Sequence, residues 1–428
     1  MKCANTATLI FDKPGVVSNI QRSYVVDYHP LNTLSSGGPI EFIIPGSSED
    51  YIDVGSTNLY VRFKVLHEDG SIVNQTNDIV GFNNLPIAAL FSDAFLKIGE
   101  AQVQGGASDY PYRGYFKTVM QFTPSAQSSD MTAMGWYKDE AGKFDDLSNK
   151  GFVKRQKLVG NSDTVEIMGP LYFDFFNQNR HLISSTPMRI KLMPSKPEFL
   201  LNSYSKAKVT FKVLFEQVIL YVERLEMNPS VINGHAIGLK TENARYYINH
   251  NELLTYSIPA GQQSYIKENL FTDLSPKMIM IAMVDNDAFN GDLKKNPFNF
   301  QHYGLTKLAL FRDGKSIPGF AMEPDFTNNF YLRSYVQTMT AFKYWNTDKT
   351  NGLRPEEWAN GYTIYAFDLT PEKDVSSDCQ HAHLGKNLRL ELNFLKALSN
   401  TINVLIYAVS DSQIEITQLR DVITHYTR

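Results

Sequence analysis

Few residues in this chain have the types and spacing that chemistry needs. His381-Ala-His383 supplies half of a metal site. A cupin-like centre would add a nearby glutamate and a distant third histidine, on strands facing into one barrel. The next glutamate downstream is Glu391, and residues 376–385 read as a polar loop, so the pair stays incomplete. Asp285-Asn-Asp-Ala-Phe-Asn-Gly291 starts like a calcium loop, but Phe289 occupies a ligand position and the turn glycine falls one residue late. Gly314-Lys315-Ser316 ends like a phosphate-binding loop. Ala309 stands where its first glycine belongs, and no helical pattern follows, so the backbone cradle is missing. No nucleophile elbow is present. These residues predict a non-enzymatic chain with no catalytic, metal or cofactor site.

The tryptophans offer a different chemistry. Trp136, Trp345 and Trp358 all fall in loops that follow helical patterns. Each either pins its own loop to its own domain or serves as an anchor in a subunit contact, where tryptophan is enriched. All three are therefore candidate subunit-interface residues. The loops that carry them, about 123–169 and 343–361, are long for compact domains, and at least one of them should be ordered by contact. The expected contact is a neighbouring subunit.

The bulk properties bound these readings. The 428 residues exceed one ordinary core and predict two domains. With 43% apolar and 20% charged residues the composition is globular, and 27 Phe and 23 Tyr against 3 Trp favour strands. A net charge of −4 without a run of Lys or Arg argues against sequence-specific nucleic-acid binding or direct genome coating. Cys3 and Cys379 are the only cysteines, and no structural disulfide is expected of them. Thr8-Leu-Ile-Phe11 is too short for a secretory signal, and Met278 to Val284, the longest apolar run, falls far short of a membrane span. The sequon Asn74-Gln75-Thr76 reads as chance.

Strand patterns dominate the elements. Leu59, Val61, Phe63 and Val65 alternate with Tyr60, Arg62 and Lys64, which gives one buried and one wet face. Leu388 to Phe394 alternates in the same way. Along 209–222 the apolar parity flips, predicting a bulge near Glu216-Gln217. Ile402 to Val409 is almost continuously apolar, as a strand covered on both faces would be. Helical spacing is rare. Tyr112, Tyr115, Phe116 and Val119 mark one helix, with Asp109 as its expected cap. Leu332, Tyr335, Val336 and Met339 mark a second, within 330–342.

Those helices expose a duplication. Arg113-x-Tyr115 lines up with Arg333-x-Tyr335, and Phe122 with Phe342. Upstream, Ile44-Pro45 then Tyr51-Ile52 lines up with Ile258-Pro259 then Tyr265-Ile266. A hairpin precedes each helix, turning at Gly99-Glu100 and at Asp313-Gly314. Three strand-like segments follow each: 171–176, 188–193 and 209–222, then 362–369, 388–394 and 402–409. This predicts an all-β chain of two tandem sandwiches or barrels, each with a short helix; two jelly-roll barrels are the first choice, and composition alone does not separate them from an immunoglobulin-like pair. Residues 1–226 would form an N-terminal extension and the first barrel, 227–234 a linker with turn signals, and 235–428 the second barrel.

The ordered set Phe95-Leu-Lys-Ile-Gly, Tyr112-Arg-Gly-Tyr, Val284-Asp-Asn-Asp-Ala-Phe-Asn-Gly291, Asn296-Pro-Phe-Asn-Phe300, His302-Tyr-Gly, Leu308-Ala-Leu-Phe-Arg-Asp-Gly314, Arg389-Leu-Glu-Leu-Asn-Phe394 and the Arg420-Asp-Val ending resembles the major capsid proteins of Polinton/Maverick elements and adintoviruses. The likeness runs from about residue 40 to the C-terminus. It implies the adenovirus-hexon lineage: a double jelly roll forming pseudo-hexagonal trimers in an icosahedral virion shell around double-stranded DNA. Its partners would be copies of itself and of penton and minor capsid proteins, assembled inside the host cell. The chain is compact beside hexons, so tall tower insertions are not expected. The alternative from the residues alone is a tandem β-sandwich glycan-binding module with aromatic stacking platforms.

Overall fold

The computed structural model describes residues 18–34, 37–205, 209–271, 275–375, 381 and 387–426. Cys3, Cys379, His383 and the 8–11 segment lie outside them.

The chain folds as a double jelly roll. The first half supplies β1 (Ile20–Tyr28), β2 (Ile40–Ile44), β3 (Asp50–His67), β4 (Phe91–Ile98) and β5 (Ala101–Gln104). After helices α1 (Tyr110–Gln121) and α2 (Lys150–Val159) come β6 (Val165–Pro170), β7 (Met188–Pro194) and β8 (Phe211–Met227). Helix α3 (Pro229–Gly238) leads into the second half: β9 (Ala244–Ile258), β10 (Ser264–Lys267), β11 (Met278–Asp285), β12 (Leu305–Arg312) and β13 (Lys315–Met322). Helix α4 (Leu332–Ala341) then precedes β14 (Ile364–Asp368), β15 (Leu388–Phe394), β16 (Ile402–Ile416) and β17 (Val422–Tyr426).

The two halves share one topology. The first packs sheet β1-β8-β3-β6 against β2-β7-β4-β5; the second packs β9-β16-β11-β14 against β10-β15-β12-β13, with β17 added beside β16. Each strand of the first half corresponds to the strand eight places later, and α1 and α4 fill the same connection. No strand pairing joins the two sets of sheets among the described residues.

Several sequence expectations take physical form. The β8 parity flip is a register shift between Phe215 and Gln217, as an extra residue in one strand requires. The Asp313-Gly314 turn closes a hairpin in which Arg312 pairs with Lys315. Other expectations need correction. The 227–234 stretch is not a loop: Asn228 accepts from the Ser230 amide and caps α3, and Pro229 opens it. Asn and Pro serve helix starts as well as turns. The 171–176 segment is not a strand either. Asp174–Asn177 forms a 3-10 turn, and the strand is the preceding 165–170. Asp109 sits at the N-cap of α1, but its carboxylate binds the Arg113 side chain rather than a backbone amide.

Candidate functional site

The distinctive feature of this fold is how one barrel is built onto the other. In β11, Ile279, Ile281 and Met283 fill the second barrel, whereas Met278, Met280, Ala282 and Val284 join a core shared with the first half. In β14 the division is Tyr365 and Phe367 against Ile364 and Ala366; in β16 it is Ile402, Val404 and Ile406 against Leu405 and Tyr407. A strand with period-two side chains and two buried faces must be apolar throughout, which explains the runs at 278–284 and 402–409. The outer rows are Tyr407–Met280–Ala366 and Leu405–Ala282–Ile364.

Helix α1 packs on the 286–300 connection beside that surface. Tyr115 stacks on Phe298 with centroids 4.2 Å apart, Tyr112 on Phe289 at 5.6 Å, and Phe116 on Phe300 at 5.4 Å. Phe116 also meets Tyr407 at 5.4 Å. The helix approaches its own barrel closely because it carries Gly114, where a Cβ would lie 2.8 Å from that of Ala88. Tyr115 therefore packs between the two halves, against Trp136 and Phe298. Tyr335, its counterpart on α4, instead packs against Trp358 and donates from its hydroxyl to the Leu353 carbonyl at 2.8 Å.

A buried polar knot crosses the same seam. Arg113 Nε donates to Asp109 at 2.6 Å, and an Nη lies 3.5 Å from Asp174. Asp174 accepts from the Asn251 backbone amide at 2.9 Å and side-chain amide at 2.6 Å, and His250 Nδ1 is 3.3 Å away. Asn251 and His250 belong to β9, so the carboxylate of one half is held by the other. Burial alone would raise both acids. At Asp174 the Arg113 charge, His250 and the Asn251 amide outweigh it and hold the carboxyl below its ordinary value. At Asp109 burial wins over Arg113, and the neighbouring Asp93 and Asp174 add to the rise. A small cleft of about 310 Å³ opens beside the knot, lined in part by Lys117, Asn177 and Asn249.

The long 123–169 connection is tied to the second half of its own chain. Lys138 pairs with Glu357 at 3.0 Å, the Tyr362 hydroxyl donates to the Asp139 carbonyl at 2.8 Å, and Asp145 accepts from the Asn296 amide at 2.6 Å. Arg155 of α2 holds the segment from inside, bonding the Phe82 carbonyl at 2.7 Å and Asp139 at 2.5 Å.

The tryptophans divide. Trp136 is 1% exposed and lies against Tyr115; Trp358 is 0% exposed and donates from Nε1 to the Ile364 carbonyl at 2.8 Å. Neither has surface to offer another subunit, which corrects the interface expectation for both: they pin their own loops. Trp345 is 53% exposed and remains as a candidate.

The other sequence candidates resolve locally. His381 is held through Nδ1 by Asp411 and through Nε2 by the Asp374 carbonyl, each at 3.0 Å. The described residues contain no group of three His, Cys, Asp or Glu placed to hold a metal ion. In the calcium-like loop, Asp285 caps a short helix at Asn286–Asn290, and Lys295 Nζ sits 2.9 Å from Asp285 and 2.8 Å from Asp287, where a cation would be. No described helix is long and apolar enough to cross a membrane. Sequence reasoning missed the seam knot, whose members are far apart in the chain; the one signal was the presence of charged Arg113 on an otherwise apolar helical stripe.

Comparison with known proteins places this architecture. No protein-family profile matches the chain. An uncharacterised protein of Caenorhabditis elegans, F54H12.2, is 27% identical over 396 residues, covering 90% of this chain and 92% of that protein. Among solved structures, a chain of the Sputnik virophage aligns with a TM-score of 0.62 at 12% identity, covering 100% of this chain and 93% of its own. The mavirus major capsid protein aligns at 0.59 with 11% identity, over 99% and 93%. The Faustovirus major capsid protein aligns at 0.57 with 7% identity, over 95% and 92%. The fold is that of the double jelly-roll capsid proteins.

Proposed function

We propose that this chain is a major capsid protein of the Polinton/Maverick type, a structural shell brick with no catalytic role. The observation that carries the reading is the seam. Two barrels of one topology are joined side by side by apolar rows and a shared polar knot, along the full length that aligns with viral capsid subunits. Three such chains would place six similar barrels around a threefold axis, and that brick tiles a hexagonal lattice through surface complementarity. Double-stranded DNA would lie inside the shell, and penton and minor proteins would fill the remaining positions. The residues 227–234 would separate the two barrel domains, 1–226 and 235–428. A relative in an animal suits a capsid gene carried by an integrated element. Trp345 is proposed as a subunit contact.

Sedimentation and negative-stain electron microscopy of the purified protein test this. Trimers with a pseudo-hexagonal outline, or closed particles, are expected. A monomer at every concentration that binds immobilised glycans would replace this reading with the glycan-binding one.

A further inference from the structure

We propose that the groove under α3, where the two halves meet, binds a single-chain amphiphile with an anionic head group, of the fatty-acid class. The site goes beyond the shell-brick reading and does not depend on it.

The groove has a volume of about 630 Å³, within the roughly 300–1,000 Å³ of small-molecule sites. Both halves build it. Tyr51, Ile183 and Met227 come from the first and Tyr246 of β9 from the second; all four are buried and form the floor. The floor's hydroxyls already have partners. That of Tyr246 donates to the His181 carbonyl at 3.2 Å and accepts from the Ile183 amide at 3.1 Å, and that of Tyr51 lies 2.8 Å from His235 Nδ1. What the floor still offers is apolar surface.

Helix α3 is the roof, and the space beneath it is unfilled. Val231, Gly234, His235 and Gly238 share one face of the helix by their spacing, and that face lines the groove. The helix also carries Ile232 and Ile237, yet none of its ten residues is buried. A Cβ added at Gly234 or Gly238 would meet nothing within 4 Å. An apolar helix laid on a core normally buries a stripe, and interiors are normally close-packed. What is missing here is apolar matter between helix and floor.

Charge selects the head group. Arg245 at the rim is paired with Glu415 at 3.7 Å, and His181 with Asp53 at 4.0 Å. Arg180 meets no carboxylate among the described residues; it bonds the Arg245 carbonyl and lies 5.0 Å from the centre of the Tyr247 ring. Arg420 has one Nη buried without a partner. Its charge reaches the hydroxyls of Tyr51 and Tyr246 and opposes the rise that burial imposes on both. Against these two arginines the lining supplies one acid, Glu242, so the rim is left positive. The same charge disfavours residues 1–17 of this chain as the occupant. They carry Lys2 and Lys13 against Asp12, although Asn19 and Ile20, which follow them, line the groove.

Calorimetric titration of the purified full-length protein with octanoate, decanoate and laurate, below micellar concentrations, tests the site. One molecule per chain is expected, with affinity rising about fourfold for each added methylene. Dodecanol should bind about tenfold more weakly than laurate, the difference one charge-assisted hydrogen bond makes, and dodecyltrimethylammonium should not bind. Arg180→Gln, at an exposed position, should erase the preference for acid over alcohol. Gly234→Phe, which a helix tolerates better than glycine, should fill the groove and block laurate while the melting temperature holds. Equal affinity for acid, alcohol and cation, or laurate binding untouched by Gly234→Phe, overturns the proposal. If laurate binds only after Phe11→Asp, the groove belongs to the chain's own N-terminal segment and the proposal fails as well.

Discussion

Arg113 and Arg333 hold the same place on two copies of one domain plan, yet their surroundings are opposite. Arg113 is buried among Asp109, Asp174 and the aromatic stripe of α1. Arg333 is exposed and lies over the ring of Phe320. The difference does not come from the helices, whose apolar spacing is the same. It comes from what stands opposite. The second half covers the first helix, whereas the second helix packs through Tyr335 and Thr338 on its own barrel and leaves Leu332 and Arg333 exposed. The position of a repeat in the assembly, more than its own sequence pattern, decides whether a given stripe is core or surface.

The largest effect that would break this comparison is on stability. Tyr115→Ala removes a fully buried ring stacked on Phe298 and should cost about 3–5 kcal/mol. Leu332→Ala, at the bare counterpart of Tyr112, should stay within about 0.5 kcal/mol in the monomer. Thermal melts of the two variants under conditions that keep the chain monomeric make the check. Equal losses would mean that the two helices are equally covered and the asymmetry is not real.

A smaller effect sharpens where the halves are joined. Asn251 of β9 donates its side-chain amide to Asp174 at 2.6 Å across the seam. A hydrogen bond to a charged group contributes about 1.5–3 kcal/mol, so Asn251→Ala should destabilise by that amount. If the seam couples the barrels, unfolding should remain a single transition. Two separated transitions in wild type, with Asn251→Ala moving neither, would show that the knot does not join the halves.

Much of this architecture was legible in the sequence for a physical reason. Period-two alternation in 59–65 and 388–394 and the unbroken apolar runs at 278–284 and 402–409 report directly which strand faces are dry. The duplication was legible because Arg113-x-Tyr115 and Arg333-x-Tyr335 occupy equivalent helices. The seam was not legible. Asp174 meets Asn251 and His250 across long stretches of chain, and its segment Leu171 to Phe176 is apolar enough to imitate a strand. The tryptophans misled for a related reason: a loop that is long and polar can still be ordered by its own chain, as Lys138, Asp139 and Asp145 order theirs. Helix α3 was hidden because Asn228-Pro229 starts helices and turns alike.

The smallest expected effect concerns pH, and its sign separates the two acids of the knot. Asp174 is held below the ordinary carboxylate value by Arg113, His250 and the Asn251 amide, against its burial. Its contribution is therefore full above about pH 3.9, the value of an unfolded aspartate. That contribution is lost as pH falls through the lower folded-state value. Asp109 is shifted the other way, chiefly by burial. The stability linked to its neutral form is full below the ordinary value and is lost as pH rises through the higher folded-state value. The stability gap between wild type and Asp174→Asn should thus shrink as pH falls from 7 towards 3. The gap between wild type and Asp109→Asn should move in favour of wild type over the same range. Denaturant titrations at several pH values read both gaps. Two gaps that change in the same direction would mean that Arg113 does not divide its charge between the acids as the geometry of the seam requires.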